Sequence, residues 1–305
     1  MSGETKHSTI ATGVKRTDST RNEVIPPYLI AAFTGDRSGS MEGIDEASAK
    51  GLFNWLKETT QSAVDNAQTG KIFVTTFDDE TEKIIEDESI SDIHNKIKNN
   101  NIDDDFCFQA MKARGTTKLY DTAITDLENI VIARDTLYES LPSRIRSLNP
   151  EIAMIWACCT DGFDNKSTHT RKEFREKVLW AREKGVKCFF LAANQEAQVV
   201  GRDYGFDPNT SLTFGADVEH VEFAMRSVTQ CMRQVSQGNN NYVFSQMMRE
   251  QSVPSTITPF NSPHNYSPIY NMAQLRQPAV TNSTFSVPNT QYIVTPSTIA
   301  QIGRS

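Results

Sequence analysis

The sequence lacks clusters of basic residues. Across its 305 residues, 31 Lys and Arg are outnumbered by 38 Asp and Glu, for a formal net charge of −7. Binding to a phosphate backbone needs a stripe of Lys and Arg, and the sequence has none. Nucleic acid and other anionic partners are therefore disfavoured, whereas cations are not.

Long apolar runs are absent as well. No stretch reaches the roughly 18 consecutive apolar residues of a membrane span, and the opening MSGETKHSTIATGVKRTDST contains no apolar signal core. We therefore expect no membrane partner and a soluble protein of the cytoplasm, with a virion as the alternative location.

Cysteine is scarce and forms no Cys-x-x-Cys pair. Three of the five cysteines lie in the apolar runs IWACCT and VKCFFLAA. A free cysteine behaves as a small apolar core residue, so this placement predicts buried, reduced thiols. The five are Cys107, Cys158, Cys159, Cys188 and Cys231.

Motifs of common catalytic sites are also missing. The five histidines are scattered without a His-Glu-x-x-His pattern, and the sequence has neither a Gly-x-x-x-x-Gly-Lys-Ser/Thr loop nor a Gly-x-Gly-x-x-Gly loop. The acidic runs DDETEKIIEDE and NNNIDDDF lack the EF-hand spacing, and we interpret them as solvated surface. A catalytic histidine and a nucleotide phosphate loop are both disfavoured.

From about Pro26 to residue 236, strand-length apolar runs alternate with longer amphipathic stretches. The runs EIAMIWACC and VKCFFLAA are nearly continuous in apolar residues, as expected of strands covered by helices on both faces. The shorter FDDETEKI fits an antiparallel hairpin that ends in an edge strand. The pattern predicts an α/β fold with a doubly wound, mainly parallel sheet, one antiparallel edge strand and helices on both faces.

Both ends of the chain depart from this pattern. Residues 1–25 are polar and aperiodic, which predicts an arm that is flexible or ordered only in an assembly. Residues 237–305 are rich in Pro, Asn, Ser and Thr, yet apolar residues such as Phe260 and Tyr292 recur along them. We therefore predict three regions: the arm 1–25, a domain 26–236, and an extended tail 237–305 that docks on a partner or on its own domain.

Three polar segments stand where strands end or a helix begins. TGDRSGSM follows the first strand and contains Asp36, Ser38 and Ser40, whereas CCTDGFDN follows a buried strand and contains Asp161. The third segment, ARGTTKLYDTAI, places threonines just before a helix. Ligands of open α/β sheets bind at the carboxyl ends of the strands. Five hard oxygens with two formal charges predict a Mg²⁺ or Mn²⁺ site that leaves a coordination position free.

In this order, the segments resemble the metal-ion-dependent adhesion site (MIDAS) of von Willebrand factor type A (vWA) domains, written Asp-x-Ser-x-Ser with a distant Thr and a distant Asp. The resemblance covers about residues 26–236. It implies a vWA or Rossmann-like fold and a divalent cation whose open position is filled by an acidic group of a partner. Carried over by motif, the implied metal ligands are Asp36, Ser38, Ser40, Thr117 and Asp161.

The choice of threonine follows from the family's Gly-Gly-Thr-x-Leu-Tyr-Asp, which aligns with GTTKLYD and indicates Thr117, with Thr116 as the neighbour that could replace it. Asp164 and Asn165 are interpreted as turn-forming or capping residues. Asp121 is interpreted as serving the helix dipole or a hydrogen bond behind the ligands.

We expect a non-catalytic, divalent-metal-dependent module that binds a protein partner through an Asp or Glu carboxylate. The alternative is a structural component of a large assembly such as a virus capsid, with arm and tail threaded between neighbouring subunits. A Mg²⁺-dependent phosphatase is a weaker alternative. Position 38 is Ser where the aspartyl-phosphatase pattern carries a second Asp, and the sequence shows no base to activate Ser38 or Ser40.

Overall fold

The computed structural model describes residues 26–254, which contain six strands and nine α-helices. The arm 1–25 and residues 255–305 of the predicted tail lie outside the described residues. The strands are β1 (Tyr28–Asp36), β2 (Thr69–Phe77), β3 (Thr81–Ser89), β4 (Ile152–Thr160), β5 (Val186–Ala193) and β6 (Ser211–Phe214). The helices are α1 (Asp45–Asp65), α2 (Ile90–Lys98), α3 (Asp104–Met111), α4 (Leu119–Ser140), α5 (Ser143–Arg146), α6 (Arg171–Glu183), α7 (Ala197–Asp203), α8 (Val218–Ser236) and α9 (Gln246–Gln251).

The strands form one sheet in the order β3-β2-β1-β4-β5-β6. All neighbouring strands are parallel except β2 and β3, which pair antiparallel and leave β3 at one edge. This is the strand order of doubly wound folds, in which the chain reverses its direction of travel between β1 and β4. The predicted fold class, including the antiparallel edge strand, is confirmed.

Two apolar clusters, one on each face of the sheet, form the core. Along β1, Leu29, Ala31 and Phe33 belong to one cluster, and Ile30 and Ala32 belong to the other. Helices α1, α2, α3 and α8 contribute to the first cluster, whereas α4, α6 and α7 contribute to the second. Because both faces are covered, the central strands are apolar at nearly every position, which is the pattern that the sequence showed.

The sequence predicts solvated surface for the two acidic runs, and the structure shows two exceptions. Asp103 precedes α3, and its carboxylate accepts a hydrogen bond from Phe106 N at 2.9 Å, so it caps the helix. Asp78 lies in the turn between β2 and β3 and is only 1% exposed. Both residues fix local structure.

The segment after α8 is packed rather than extended. Phe244 and Val253 are buried, and Phe244 lies in the first apolar cluster. The sequence analysis placed residues 237–254 in the tail, beyond a domain ending at residue 236. In the structure, the packing continues to Pro254, and the division into arm, domain and tail stays a prediction for the residues outside the described range.

The same segment covers the open edge of β6. The Arg249 guanidinium donates to Ser211 O at 2.7 Å, and Ser252 Oγ donates to Thr213 O at 2.6 Å. Gly215 N in turn donates to Ser252 O at 2.8 Å. The first two bonds satisfy strand carbonyls that would otherwise be available for pairing with another chain, and the third holds the segment against the residue that follows β6.

All five cysteines are free and buried, which confirms the prediction of buried, reduced thiols. Burial raises the pKa of Cys107 to about 12, so this thiol stays protonated at neutral pH.

None of the helices within residues 26–254 is long and apolar enough to cross a membrane.

Candidate metal centre

Three loops meet at the carboxyl end of the sheet, beside the boundary between β1 and β4. The loop after β1 contacts the segment before α4, where Gly39 N donates to Gly115 O at 3.1 Å. The loop after β4 contacts the same segment through Asn165 N, which donates to Thr117 O, and through Asn165 Oδ1, which accepts from Thr117 N, both at 3.0 Å. Gly115 has a φ of +68°, and a Cβ there would lie 2.0 Å from Asp79 Oδ1, so this close approach requires glycine.

Asp36 is the last residue of β1, and its side chain is buried. One carboxylate oxygen accepts a hydrogen bond from Ser38 N at 2.7 Å, and the other accepts from Thr160 Oγ1 at 2.6 Å. Burial raises the pKa of Asp36 to about 6, although both hydrogen bonds act to lower it. Within residues 26–254, neither hydrogen-bond donor to the Asp36 carboxylate is positively charged.

The two serines form a chain of hydroxyl contacts towards Asp161. Ser38 Oγ lies 3.1 Å from Ser40 Oγ, and Ser40 Oγ donates to Asp161 Oδ1 at 2.8 Å. Burial raises the pKa of Asp161 as well. Ser38 is buried and Ser40 is exposed, so this chain of oxygens runs from the end of β1 to the protein surface.

Thr117 lies on the same side of the site as Ser40. A methyl group added to Gly162 would be 3.5 Å from Thr117 Oγ1 and 3.8 Å from Ser40 Oγ, so both hydroxyls approach the Gly162 backbone. Thr117 is 4% exposed, whereas Thr116 is exposed. The structure therefore places the Thr117 hydroxyl near the same backbone position as that of Ser40, whereas the neighbouring Thr116 is exposed.

The remaining polar residues of the loop after β4 hold that loop against the start of α4. Asp164 Oδ2 accepts from Tyr120 N at 3.0 Å and from Ser167 Oγ. Asp121 accepts backbone hydrogen bonds from His169 N at 2.9 Å and Thr168 N at 3.0 Å. Partial burial acts to raise the pKa of Asp121, but these hydrogen bonds lower it to about 2. Asp164 and Asp121 thus fix the loop through hydrogen bonds.

The role of Thr160 was not found by sequence reasoning, although the residue stands beside Asp161 in the motif. Its hydroxyl donates to Asp36 and also accepts from Gly162 N at 3.2 Å, so it joins the ends of β1 and β4. The signal that could have found it is the strand register. Gly35 pairs with Cys159, which places the next residue of each strand, Asp36 and Thr160, side by side.

A second buried carboxyl was also missed. Asp126 of α4 accepts from Thr34 Oγ1 and from Thr75 Oγ1, the latter at 2.9 Å, and Trp156 Nε1 donates to Thr34 Oγ1 at 2.8 Å. Burial raises the pKa of Asp126 to about 6. This network ties α4 to the end of β1, two residues before Asp36. The sequence signal that could have revealed Asp126 is the position of an aspartate on the apolar face of a predicted helix.

The residues at this site fit a divalent cation. Their donor atoms are carboxylate and hydroxyl oxygens, which suit Mg²⁺ and Mn²⁺. Within residues 26–254, no group of three or more His, Cys, Asp or Glu converges, so a cation here would need the hydroxyls of Ser38, Ser40 and Thr117. Asp36 provides the independent indication, because a cation would neutralise a carboxylate that is otherwise costly to bury.

Compared by sequence, the chain matches no family model and no curated protein. Compared by structure, it is similar to solved structures at low sequence identity. Proximal thread matrix protein 1 from the mussel byssus, with a zinc-occupied MIDAS motif, is 15% identical, with 70% of this chain and 46% of that chain covered and a TM-score of 0.42. The manganese-loaded TRAP protein of Plasmodium vivax is 11% identical, with 54% and 57% covered and a TM-score of 0.34.

A third structure is a von Willebrand factor type A from Catenulispora acidiphila, which is 12% identical, with 67% of this chain and 42% of that chain covered and a TM-score of 0.41. This chain spans less than two thirds of the length of each of the three. The fold assignment stands on the order and direction of the six strands. The chain is similar, at identities of 11% to 15%, to solved structures that include a von Willebrand factor type A and a protein with a zinc-occupied MIDAS motif.

Proposed function

We propose that this protein is a non-catalytic binding module of the vWA type. A divalent cation, Mg²⁺ or Mn²⁺, bridges from the site to an Asp or Glu carboxylate of a protein partner. The observation that carries the proposal is the convergence of serine hydroxyls and Asp161 above the buried Asp36, at the boundary between β1 and β4. The proposed ligands are Asp36, Ser38, Ser40, Thr117 and Asp161.

The donor set supports a partner that brings a carboxylate. Three of the five proposed ligands are neutral hydroxyls, so the site supplies two negative charges at most. A six-coordinate cation therefore keeps at least one position for an outside oxygen. The exposed Ser40 marks the side from which a partner carboxylate would approach.

A binding role is favoured over hydrolysis because the one carboxylate that accepts a hydrogen bond from these serine hydroxyls in the described residues, that of Asp161, is itself a proposed metal ligand. In the described part of the chain, the hydrogen-bond partners of the Ser38 and Ser40 hydroxyls are each other and Asp161. His169, a residue of the same loop as Asp161, is instead paired with Asp121 at 2.7 Å. Activating a serine or a water would require a positioned base.

Phe163 supports a protein partner at this face. Its side chain is 47% exposed and follows Asp161 by two residues. The loop is held on both sides of it, because Gly162 N donates to Thr160 Oγ1 and Asp164 accepts from Tyr120 N. A fixed, exposed aromatic ring beside a metal site is a suitable contact for an apolar side chain that adjoins the partner's carboxylate.

Titration calorimetry of the full chain with MgCl₂ and MnCl₂ tests the metal site. We expect one bound cation for the wild type and none for Asp36→Ala. Equal heats for both chains would refute the site. Affinity capture with and without chelator then tests the partner: proteins lost on chelation, and also lost with Asp36→Ala, are the expected result.

Phosphatase activity is the outcome that would replace the proposal. Turnover of a generic phosphomonoester that is abolished by chelator and by Asp36→Asn would make the protein an enzyme.

A second variant, Phe163→Ser, tests the contact with the partner separately from the metal. It is expected to weaken partner capture while leaving the heats of metal binding unchanged, because the Phe163 side chain is not among the proposed ligands.

A further inference from the structure

Arg37 stands between two proposed metal ligands in the sequence, and its side chain is almost completely buried. It is 2% exposed, whereas arginine is rarely fully buried unless it is paired. The sequence pattern Asp-x-Ser-x-Ser treats this position as a spacer. Its burial, between Asp36 and Ser38 in the chain, indicates a role that the pattern does not record.

The backbone and the side chain of Arg37 reach different elements. Its N–H donates to Phe77 O at 2.8 Å, at the end of β2, and its carbonyl accepts from Arg114 N at 2.7 Å, in the segment before α4. Its guanidinium lies 3.2 Å from Asp78 Oδ2 through Nε and 2.6 Å from Glu82 Oε2 through Nη1. Arg37 therefore contacts the β2–β3 hairpin and the segment before α4 simultaneously.

Asp78 completes this arrangement from the hairpin side. Besides Arg37, its Oδ2 accepts from Arg114 Nε at 2.5 Å, and its backbone carbonyl accepts from Lys118 N at 2.8 Å. Burial acts to raise the pKa of Asp78, but the hydrogen bonds from Arg114 and Glu80 N and the charge of Arg37 lower it, so the carboxylate is ionised. Asp78 thus holds the segment that carries Thr117, the neighbour of Lys118.

We propose that Arg37 and Asp78 form a positioning pair that fixes two ligand-bearing segments, residues 37–41 and 112–118, relative to each other. Neither residue is proposed as a ligand. The inference rests on the proposed metal site. The pair sets the distance between the hydroxyls of the first segment and that of Thr117, and this distance affects function only if these hydroxyls bind a cation.

The sign of the effect on metal affinity separates positioning from charge. The Arg37 guanidinium repels a nearby cation, and Asp78 attracts one, so Coulomb's law alone predicts tighter metal binding when Arg37 becomes neutral. Positioning predicts the opposite, because a hydroxyl that moves by a fraction of an ångström no longer fits a small cation. Residues that orient metal ligands typically contribute about 10- to 100-fold to metal affinity.

The experiment compares Arg37→Met, Arg37→Lys and Asp78→Asn with the wild type in the full chain. We measure the Mg²⁺ and Mn²⁺ dissociation constants by calorimetry and the thermal unfolding of the metal-free proteins. Arg249→Met is the matched control, because it removes a partly buried arginine at the edge of β6. We expect a dissociation constant about 10- to 100-fold higher for Arg37→Met and Asp78→Asn, a smaller increase for Arg37→Lys, and an unchanged dissociation constant for the control.

Hydrogen exchange of the metal-free chains gives a second readout that does not depend on the cation. The proposal expects Arg37→Lys, which keeps the charge, to increase exchange in residues 37–41 and 112–118 together while the rest of the described residues exchange as in the wild type. An unchanged or lower metal dissociation constant for Arg37→Met would overturn the proposal. Faster exchange in only one of the two segments of Arg37→Lys would also overturn it. A wild type that binds no metal would refute the proposed function, while the exchange data would still decide whether the pair couples the two segments.

Discussion

The Asp36 carboxyl is buried with two hydrogen-bond donors and no basic side chain among its hydrogen-bond partners in the described residues. Burial penalises its ionised form and raises its pKa to about 6. An aspartate in this condition is stabilised either by a proton or by a cation. The residue is therefore the point at which pH, stability and metal binding are linked.

The first prediction concerns the stability of the metal-free chain against pH. The folded carboxyl of Asp36 holds its proton more tightly than the unfolded one, so its contribution to stability is lost as the pH rises from about 4 through about 6. In the Asp36→Asn variant this loss is absent, because an amide does not titrate. We expect the difference in unfolding free energy between Asp36→Asn and wild type to shift in favour of the variant between pH 4 and pH 7.

Urea unfolding in chelator at several pH values measures this difference. Asp126, whose pKa is raised in the same direction, is present in both proteins and cancels in the comparison. Added Mg²⁺ should restore the wild type at pH 7 and leave Asp36→Asn unchanged. Parallel pH profiles for the two proteins would contradict the assignment of this carboxyl.

The second prediction separates the two neighbouring threonines. Thr117→Val removes a hydroxyl that faces Gly162, whereas Thr116→Val changes an exposed residue that serves as the matched control. We expect the metal dissociation constant to rise at least about tenfold for Thr117→Val and to stay within twofold for Thr116→Val. Calorimetry measures both dissociation constants. A larger increase for Thr116→Val than for Thr117→Val would reassign the ligand to Thr116.

At the scale of elements, the edge strand β6 depends on the segment that follows α8. The Arg249 guanidinium donates to three carbonyls, those of Ser211, Pro208 and Asn209, at 2.7–3.1 Å. Burial lowers the pKa of Arg249, but an arginine stays charged in this setting. A charged side chain that occupies the Ser211 carbonyl of β6 and two carbonyls just before the strand protects the edge against pairing with another molecule.

The third prediction follows from this protection. Arg249→Met is expected to lower the unfolding free energy by about 2 kcal/mol, because hydrogen bonds from a charged donor are lost. The variant should also associate at concentrations where the wild type does not. Chemical unfolding and light scattering measure the two effects. Arg226→Met, on the exposed face of α8, is the control and should change neither; equal behaviour of the two variants would remove Arg249 from this role.

At the scale of the whole molecule, the described part of the chain ends beside the loop after β6. A Cβ on Gly215 would lie 2.8 Å from Pro254, the last described residue. Residues 255–305 contain neither Asp nor Glu, so their side chains offer no carboxylate to the proposed metal site. Under the proposed function, the acidic ligand therefore comes from outside this stretch.

The fourth prediction compares two truncations. A chain ending at residue 236 loses Phe244 and Val253 from the core and should lose about 3 kcal/mol or more of unfolding free energy. A chain ending at residue 254 keeps both and should match the full chain in stability and in metal affinity. Urea unfolding and calorimetry test this pair. Equal stability of both truncations would restore the domain boundary at residue 236.

The alternative of an assembly component is tested with the same second truncation. If residues 255–305 dock on neighbouring subunits, limited proteolysis should cut them in the isolated protein and spare them in a native assembly. Removing them should then impair assembly while metal binding stays unchanged. Equal cleavage in both states would leave the binding module as the proposal without an assembly role.

The sequence alone determined the sheet and the candidate site. Strands such as Ile152–Thr160 are apolar at nearly every position, which only burial on both faces explains, and the hairpin of β2 and β3 is marked by its charged turn. The five proposed ligands were predicted because their segments stand at a strand end or a helix start, and the resemblance to the family motif chose Thr117 over Thr116. Parallel strands bring such ends to one edge whatever the details of packing.

The tertiary structure alone decided which residues hold the site together. Thr160 meets Asp36 through strand register, Arg37 meets Asp78 across a hairpin, and Asp126 lies beneath Thr34 through the docking of α4. Each of these contacts joins residues that are distant in sequence. The packing of Phe244 was not predicted from the sequence either. A Pro- and Asn-rich composition reports the local preference of the backbone, whereas burial depends on the surface that the rest of the fold presents.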